Sequence, residues 1–198
     1  MKAPTDTEIV LASASPRRRE LLTSLGVPIR VILPQVSEDE YASSDPVDLA
    51  RKLADAKADS VSRMVPDAVV IAADTIVVHQ DTVLGKPRDA DHARRMLAAL
   101  SGKRHRVVTA VAIATRKGSP KTLVDHEVTM VEFKSLRRSE IEAYIASGEY
   151  ADKAGAYGIQ GLASLFVTRI EGCYFNVVGL PLAKLGMMLT EFGIDLLS

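Results

Sequence analysis

Residues 9–22 read Ile-Val-Leu-Ala-Ser-Ala-Ser-Pro-Arg-Arg-Arg-Glu-Leu-Leu, and this stretch decides how the fold begins. Its short apolar run, Ile9–Ala12, predicts a strand. Ser15 is a good N-cap residue, and Pro16 after it is favoured at the first position of a helix. The stretch therefore predicts a strand, a tight turn and a helix in direct succession.

The first turn of this helix carries three consecutive arginines, Arg17, Arg18 and Arg19. Positive charge there opposes the helix dipole, at about 0.3–1 kcal/mol for each exposed charge. A bound anion would reverse that conflict, because the free N–H groups and the dipole both favour negative charge. The arginines therefore indicate an anion site, although three solvated arginines on a surface helix would give the same pattern.

A helical projection distinguishes the three arginines. Arg18 lies near the middle of the predicted buried face, and Arg17 and Arg19 flank it on opposite sides. We therefore expect Arg18 to face inward and Arg19 to face solvent. The predicted buried face consists of Leu21, Leu22 and Leu25.

The composition is that of an ordinary globular chain. It has 198 residues, 47% of them hydrophobic and 25% charged, and its formal net charge is zero. This length predicts a single domain, residues 1–198, with room for two lobes. A dedicated nucleic-acid binder is usually basic, so we expect no nucleic-acid partner.

Cysteine usage and hydropathy predict a cytoplasmic protein without a membrane contact. The single cysteine, Cys173, cannot form an internal disulfide, which suits a reducing compartment. The N-terminal residues show no signal-peptide pattern. No apolar run approaches the ~20 residues that a membrane helix needs.

Apolar periodicity and turn residues predict a mixed α/β architecture. The predicted strands cover residues 9–12, 29–33, 68–78, 83–84, 106–114, 122–133, 165–170 and 174–178. The predicted helices cover residues 16–25, 47–64, 89–100, 139–146 and 181–192, and a capping box of Ser139 and Glu142 opens the fourth. Strands alternate with helices in the first half and pair antiparallel in part of the second, which favours a mixed sheet with flanking helices.

Lys57 interrupts the apolar stripe of the second helix. Leu53 and Val61 lie four residues away on either side, so the lysine is on the face that the helix should bury. A buried ammonium needs an acidic or anionic partner, because an unpaired buried charge is very costly. A lysine that snorkels at the edge of the core is the alternative. The stripe consists of Leu49, Ala50, Leu53, Val61 and Met64.

Asp74 interrupts the most apolar stretch of the chain, residues 68–78. Continuous β-branched runs suit a central strand that is covered on both faces. An ionised carboxylate there needs partners, so Asp74 is a candidate site residue. The alternative is a structural aspartate that caps a bend in the backbone.

Loops supply the remaining candidates. The loop of residues 34–44 is acidic, and the run Gly85-Lys86-Pro87 can bring a cation near a phosphate, although it is not a P-loop. Residues 154–161 hold three glycines and Gln160, which indicates backbone packed against a ligand or, alternatively, an ordinary connection. The acidic loop contains Glu38, Asp39 and Glu40.

These side chains favour metal-assisted attack of water on a phosphoanhydride. Cations bind phosphates, and carboxylates hold a hard divalent ion or orient water. The chain has no Gly-x-Ser-x-Gly elbow, and its four histidines lack the spacing of a zinc protease. The cationic set is Arg17, Arg18, Lys57 and Lys86, and the anionic set is Glu38 and Asp74.

Six motifs occur in an order that resembles the Maf family of nucleoside triphosphate pyrophosphatases. They are Ser13-x-Ser-Pro-Arg-Arg-x-Glu-Leu-Leu, Glu38 in the acidic loop, Leu53-Ala-x-x-Lys-Ala, Ala73-Asp-Thr-x-Val, Gly85-Lys-Pro and Tyr157-Gly-Ile-Gln-Gly. The resemblance implies a fold similar to that of inosine triphosphatase, with two lobes around a cleft. It also implies hydrolysis of a nucleoside triphosphate to the monophosphate and pyrophosphate, with a divalent cation such as Mg²⁺ or Mn²⁺, and a homodimer.

The same resemblance implies a role for each matched residue. Asp74 would be the catalytic base, and Glu38 and Asp74 would hold the metal, although Asp39 or Glu40 could take the place of Glu38. The side chains that bind the triphosphate or the metal would be Ser13, Arg18, Glu38, Lys57 and Lys86. The positions that set specificity would be Arg17, Thr75 and Gln160, and these residue types resemble the subtype that hydrolyses dTTP and UTP.

Two other functions fit parts of the pattern. A pyrophosphatase for modified nucleotides such as 7-methyl-GTP would use the same phosphate-binding residues and a different specificity set. A nucleotide-binding regulator of cell division or septum formation would have no catalysis at all. Asp74 favours an enzyme, because a binding module does not need a buried aspartate within reach of phosphate.

Overall fold

A computed structural model of the chain describes residues 7–197. The strands are β1 Ile9–Ala12, β2 Ile29–Val31, β3 Val69–His79, β4 Thr82–Leu84, β5 Arg104–Thr115, β6 Lys121–Phe133 and β7 Val167–Glu171. The α-helices are α1 Pro16–Ser24, α2 Pro46–Ser62, α3 Ala90–Leu100, α4 Arg138–Ala146, α5 Tyr174–Val178 and α6 Leu182–Thr190. Short 3₁₀ segments cover Glu38–Glu40, Ala154–Ala156 and Gly161–Leu165. Most of the residues before Glu8, on which the signal-peptide prediction depends, lie outside the described range.

Within residues 7–197 the strands form one seven-stranded mixed sheet. The strand order is β2-β1-β3-β5-β6-β7, and β4 pairs with β3 beside this path. β1 runs parallel to both β2 and β3, with Leu11 opposite Val31 on one side and Ile71 on the other. β4 is antiparallel to β3, and β7 is antiparallel to β6. The predicted mixed α/β class is therefore confirmed.

The long strands β5 and β6 are neighbours in the sheet and are joined by residues 116–120. A parallel pair needs a crossover of a dozen or more residues, so this short connection makes β5 and β6 an antiparallel hairpin. The hairpin predicted from the turn residues is present, and both strands extend one or two residues beyond most of the predicted ends.

The chain divides into two compact units. The first contains the residues up to Asp74, Thr109–Glu127 and the residues from Gly179 onwards. In it β1 is buried along its whole length, since β2 and β3 flank it on both sides. Helical side chains complete this core, and they include Leu22, Ala50, Leu53, Ala58, Val61, Leu185 and Leu189.

The second unit contains Thr75–Val108 and Val128–Val178. Its core joins α3 and α4 to the sheet through a cluster of apolar and aromatic side chains. The aromatic rings meet edge to face, the arrangement that their quadrupoles favour. The rings of this cluster are Phe133, Tyr144, Tyr157 and Phe166.

A buried histidine lies inside the same cluster. His105 is only 2% exposed, and its Nε2 lies 2.7 Å from the hydroxyl of Tyr157. Burial lowers the pKa of His105 to about 4, and nearby His79 adds to the lowering. Burial also raises the pKa of the Tyr157 hydroxyl. Both groups are therefore neutral at pH 7, and the second unit contains a neutral imidazole–phenol pair rather than an ion pair.

The prediction of a strand at residues 174–178 is wrong, because this segment is the short helix α5. Asn176 within it is completely buried. Its Nδ2 donates to the carbonyl oxygen of Val107 at 2.9 Å and to Oγ1 of Thr129 at 2.8 Å. A short apolar run does not distinguish a strand from a buried helical turn, and this side-chain anchor leaves no periodic signal.

The predicted capping box of Ser139 and Glu142 is also wrong. α4 begins one residue earlier, with Arg137 at the N-cap, and the Glu140 carboxylate accepts the backbone N–H of Arg137 at 2.8 Å. Glu142 instead accepts a hydrogen bond from Nε of Arg94 at 2.9 Å. Only the glutamate half of a capping box is therefore present, two residues nearer the N-terminus, because an arginine at the N-cap has no acceptor atom.

Two residues that were assigned to buried helix faces are exposed. Leu25 is 42% exposed and Met64 is 54% exposed. α1 ends at Ser24 and α2 ends at Ser62, so both residues lie beyond the last helical position and the projection does not apply to them. Within residues 7–197 no helix combines the length and the apolar character that a bilayer span requires.

Candidate functional site

The turn between β1 and α1 has the predicted construction. Ser15 is the N-cap of α1, and its hydroxyl accepts the backbone N–H of Arg18 at 3.5 Å, with Pro16 at the start of the helix. Ser13 is only 6% exposed, and its Oγ accepts the backbone N–H of Ser15 at 3.1 Å. The two hydroxyls thus shape the turn and direct the first residues of the helix.

Arg18 points inward, as the projection predicts, and binds three protein oxygens. Its Nε donates to the carbonyl of Gly179 at 2.8 Å, and its Nη1 donates to the carbonyl of Ala73 at 2.8 Å and to Ser13 Oγ at 3.3 Å. Arg18 therefore ties the turn after β1 to the peptide that precedes Asp74. Arg19 is exposed, as expected.

The charge around Arg18 is balanced by acids. Burial lowers the pKa of the Arg18 guanidinium, and the nearby carboxylate of Asp74 acts in the opposite direction. Arg17 adds to the lowering of this pKa, and Glu38 counters it. The first unit thus gathers two arginines and two carboxylates within electrostatic reach of one another.

Lys57 lies between two carboxylates. Its Nζ donates to Glu38 Oε1 at 2.6 Å and to Asp74 Oδ1 at 2.6 Å. The side chains of Lys57 and Asp74 are each 11% exposed, whereas that of Glu38 is 54% exposed. The buried lysine therefore has the acidic partners that its position requires, and Asp74 is held by a side chain rather than by a bend in its own backbone.

The structure distinguishes the acids of the loop between β2 and α2. Glu38 begins a 3₁₀ turn that also contains Asp39 and Glu40, and all three residues are exposed. Among the contacts of these acids described for residues 7–197, the ion pair with Lys57 belongs to Glu38. Glu38 is thus the acid of this loop that joins Asp74 and Lys57.

The remaining predicted residues belong to the second unit. Thr75 follows Asp74 on β3 and is half-buried, whereas Lys86 and Gln160 are exposed. Gly85, which precedes Lys86, accepts the backbone N–H of Gly155 at 3.1 Å. The loop of Lys86 is thus fastened to the glycine-rich segment that leads to Gln160.

The glycines of that segment pack against protein atoms. A Cβ on Gly155 would lie 3.0 Å from the side chain of Val77, and one on Gly158 would lie 2.7 Å from that of Lys153. A Cβ on Gly161 would lie 2.6 Å from the carboxylate of Glu149. Close packing against Val77 therefore accounts for Gly155, whereas Gly158 and Gly161 approach the ends of flexible side chains.

Several contacts at these positions could not be predicted from the sequence. The carbonyls of Ala73 and Gly179 accept from Arg18, and a backbone oxygen has no residue-type signature. Glu149 accepts the backbone N–H of Leu162 at 3.2 Å, a contact between residues 13 positions apart that no local pattern marks. The positive charge of Arg18 predicted an anionic ligand, and its described contacts in the structure are with protein oxygens.

A known protein family and its relatives match almost the whole chain. The family model described as Maf-like protein matches residues 8–192. The chain belongs to this family. A relative from Alkaliphilus oremlandii, named dTTP/UTP pyrophosphatase, is 52% identical over 96% of this chain and 99% of its own length. A relative from Pelotomaculum thermopropionicum with the same name is 50% identical over 96% of this chain and 99% of its own.

A solved structure agrees with the Maf-like fold. A HAM1 protein from Coxiella burnetii superimposes with a TM-score of 0.52 and 20% identity, over 93% of this chain and 99% of that protein. At this identity the likeness concerns the fold alone. The structural neighbour and the seven-stranded sheet both support the mixed α/β fold that the resemblance implies.

The carboxylates of this Maf-family chain suit a hard divalent cation. Glu38 Oε1 and Asp74 Oδ1 approach one cationic nitrogen from two sides. Mg²⁺ is often held by one or two carboxylates together with substrate phosphates and waters. Within residues 7–197 no three His, Cys, Asp or Glu side chains form a cluster that could hold a metal ion.

Proposed function

We propose that this Maf-family protein hydrolyses nucleoside triphosphates to the monophosphate and pyrophosphate, with dTTP and UTP as preferred substrates. The names of the relatives from Alkaliphilus oremlandii and Pelotomaculum thermopropionicum support this substrate choice. The observation that carries the chemistry is the contact of buried Asp74 with Lys57, which places an acid and a phosphate-binding cation side by side.

In the proposed reaction the cationic side chains bind the triphosphate. Lys57 is proposed as one of them, because an ammonium has three N–H donors and can turn them to phosphate oxygens. Arg18 and Ser13 are proposed as phosphate ligands on the turn after β1, and Lys86 as a further one. Arg18 also fixes the Ala73 carbonyl, so it positions the aspartate that follows.

Asp74 is proposed as the general base. Its carboxylate takes a proton from a water molecule whose oxygen attacks the α-phosphorus, the bond from this phosphorus to the β-phosphate oxygen breaks, and pyrophosphate leaves. Glu38 and Asp74 would hold a Mg²⁺ or Mn²⁺ ion, which neutralises charge on the phosphates when bound. Asp74 is on the buried strand β3, and Lys57 is on the long helix α2.

The choice of nucleotide substrate is proposed to depend on Arg17, Thr75 and Gln160. An amide side chain both donates and accepts hydrogen bonds, as the imide edge of a thymine or uracil base requires. These assignments, like the homodimer, rest on the family resemblance.

Release of pyrophosphate tests the proposed function. We expect the purified protein with Mg²⁺ or Mn²⁺ to hydrolyse dTTP and UTP faster than dATP, dGTP and 7-methyl-GTP. A preference for 7-methyl-GTP would assign the chain to the pyrophosphatases for modified nucleotides. Nucleotide binding without any pyrophosphate release would favour the regulatory function.

Asp74→Asn tests the proposed base, because the amide keeps the shape of the carboxylate and cannot take a proton. We expect turnover to fall by about 100-fold or more, the usual contribution of a positioned general base, while nucleotide still binds. Asp39→Asn is the matched control, since Asp39 is exposed in the acidic turn beside Glu38. Near wild-type turnover of Asp74→Asn would refute the assignment.

A further inference from the structure

The Lys57 ammonium occupies the place between Glu38 and Asp74 that a metal ion would use. Both carboxylate oxygens are 2.6 Å from the same nitrogen, so they are no more than twice that distance apart. Mg²⁺ binds oxygen ligands at about 2.0–2.1 Å, and one ion therefore reaches both oxygens after only a small movement of either. The lysine and the metal would compete for the same two oxygens.

Electrostatics makes this competition unavoidable. Two carboxylates at such a distance repel each other unless a cation lies between them, and the repulsion is strong because Asp74 is 11% exposed. A divalent ion beside an ammonium in the same place would meet a like charge at short range. The pair of acids thus accommodates one cation at a time.

The side chains differ in their freedom to move. Asp74 is on the buried strand β3 and Lys57 extends from the long helix α2, so their backbones are fixed by packing. The lysine side chain has a flexible stem of four carbons, so its ammonium can move by several ångströms while the helix stays unchanged. Glu38 lies on a short exposed turn and can follow the cation that it binds.

We propose that Lys57 is the resident counter-ion of Glu38 and Asp74 in the metal-free protein, and that its ammonium leaves both carboxylates when a divalent cation binds there. The displaced ammonium then turns to the substrate phosphates. This inference rests on the proposed function. It explains why a lysine that binds phosphate in the reaction is paired with two acids beforehand.

One consequence is that the apparent affinity of the protein for the metal is lowered. While Lys57 occupies the carboxylates, only the fraction of molecules with a displaced ammonium is competent to bind metal, and the apparent affinity is reduced by that fraction. Phosphate that attracts the ammonium would restore the competent state. Binding of metal and of triphosphate would therefore be mutually favourable.

Titration with Mn²⁺ alone, in the absence of nucleotide, tests the competition. Free Mn²⁺ is measured by electron paramagnetic resonance as it is added to the wild type, Lys57→Met and Lys57→Gln. We expect both variants to bind Mn²⁺ at least about tenfold more tightly than the wild type, because the competing charge is gone. Lys57→Arg keeps a cation at this position and should stay near the wild-type affinity.

Lys52→Met is the matched control. Lys52 is on the same helix, and its ammonium pairs with half-buried Asp48 at 2.6 Å, so its loss changes the net charge equally and leaves the candidate site intact. We expect its Mn²⁺ affinity to stay within about twofold of the wild type, since exposed charges are screened. The double variant Lys57→Met/Asp74→Asn should lose the gain, which would locate the tightened site at Asp74.

The outcomes separate this inference from the proposed function. Unchanged or weaker Mn²⁺ binding by folded Lys57→Met and Lys57→Gln, or no measurable binding, would overturn the competition and make Lys57 a fixed part of the site. Circular dichroism of each variant establishes that it is folded. The proposed function fails in a different measurement, when the wild type releases no pyrophosphate from any triphosphate.

Discussion

Two cations of the first unit illustrate how similar charges acquire different roles. Among its described contacts, Arg18 donates to two carbonyls and a hydroxyl, and these bonds tie it to the turn after β1. Lys57 donates to two carboxylates, which are also ligands for a divalent cation. A planar guanidinium suits several fixed acceptors, and an ammonium on a flexible stem suits a contact that can be exchanged.

The buried His105 predicts how stability depends on pH. Its pKa is about 4 in the folded protein, against about 6.5 for an unfolded chain, so the unfolded state binds the proton more readily. The contribution of His105 is fully present above pH 6.5 and is lost progressively as the pH falls towards 4. The loss amounts to about 3 kcal/mol, since each pKa unit corresponds to about 1.4 kcal/mol.

Urea unfolding of the wild type and His105→Gln between pH 7 and 4 measures this contribution. The variant can keep a hydrogen bond to Tyr157 but has no imidazole to titrate. Its free energy of unfolding should therefore fall less steeply than that of the wild type, whatever its value at pH 7. Carboxylates contribute equally to both proteins, and parallel curves would contradict the role of His105.

At the scale of elements, local patterns predicted most of the sheet and the helices. β1 and the N-cap of α1 follow from residues that are adjacent in the chain. Helix α5 was missed because its decisive contact joins Asn176 to residues 47 and 69 positions away. The same holds at the candidate site: Asp74 and Lys57 were recognisable as polar residues on apolar faces, whereas two of the acceptors of Arg18 are distant backbone oxygens.

The glycine-rich segment allows a test with a matched pair of glycines. Gly155 and Gly118 both have a φ of +68°, a conformation that costs an L-residue roughly 1 kcal/mol. A Cβ on Gly155 would meet three atoms of Val77 at 3.0–3.1 Å, whereas one on Gly118 would meet nothing within 4 Å. We expect Gly155→Ala to lower the free energy of unfolding by about 1–3 kcal/mol more than Gly118→Ala does.

Urea denaturation of the two alanine variants gives this difference directly. The backbone cost is common to both, so the excess isolates the close approach of Gly155 to β3. Equal losses would mean that the neighbouring side chain gives way without cost. In that case the positive φ alone would account for this glycine.

At the scale of the molecule, the boundary between the two units passes through strands rather than loops. It falls between Asp74 and Thr75 within β3, and β5 and β6 likewise have residues in both units. These strands are consecutive neighbours in the sheet. For one unit to melt alone, each of these strands would have to break within its length rather than at a loop.

We therefore expect one cooperative unfolding transition for both units. Four of the five tyrosines belong to the second unit, so tyrosine fluorescence follows that unit, whereas far-ultraviolet circular dichroism follows the whole chain. The two signals should give the same urea midpoint and the same slope, as two-state unfolding requires. Gly155→Ala, a change within the second unit, should shift both midpoints equally. A fluorescence transition that moves alone would show that the shared strands do not couple the units.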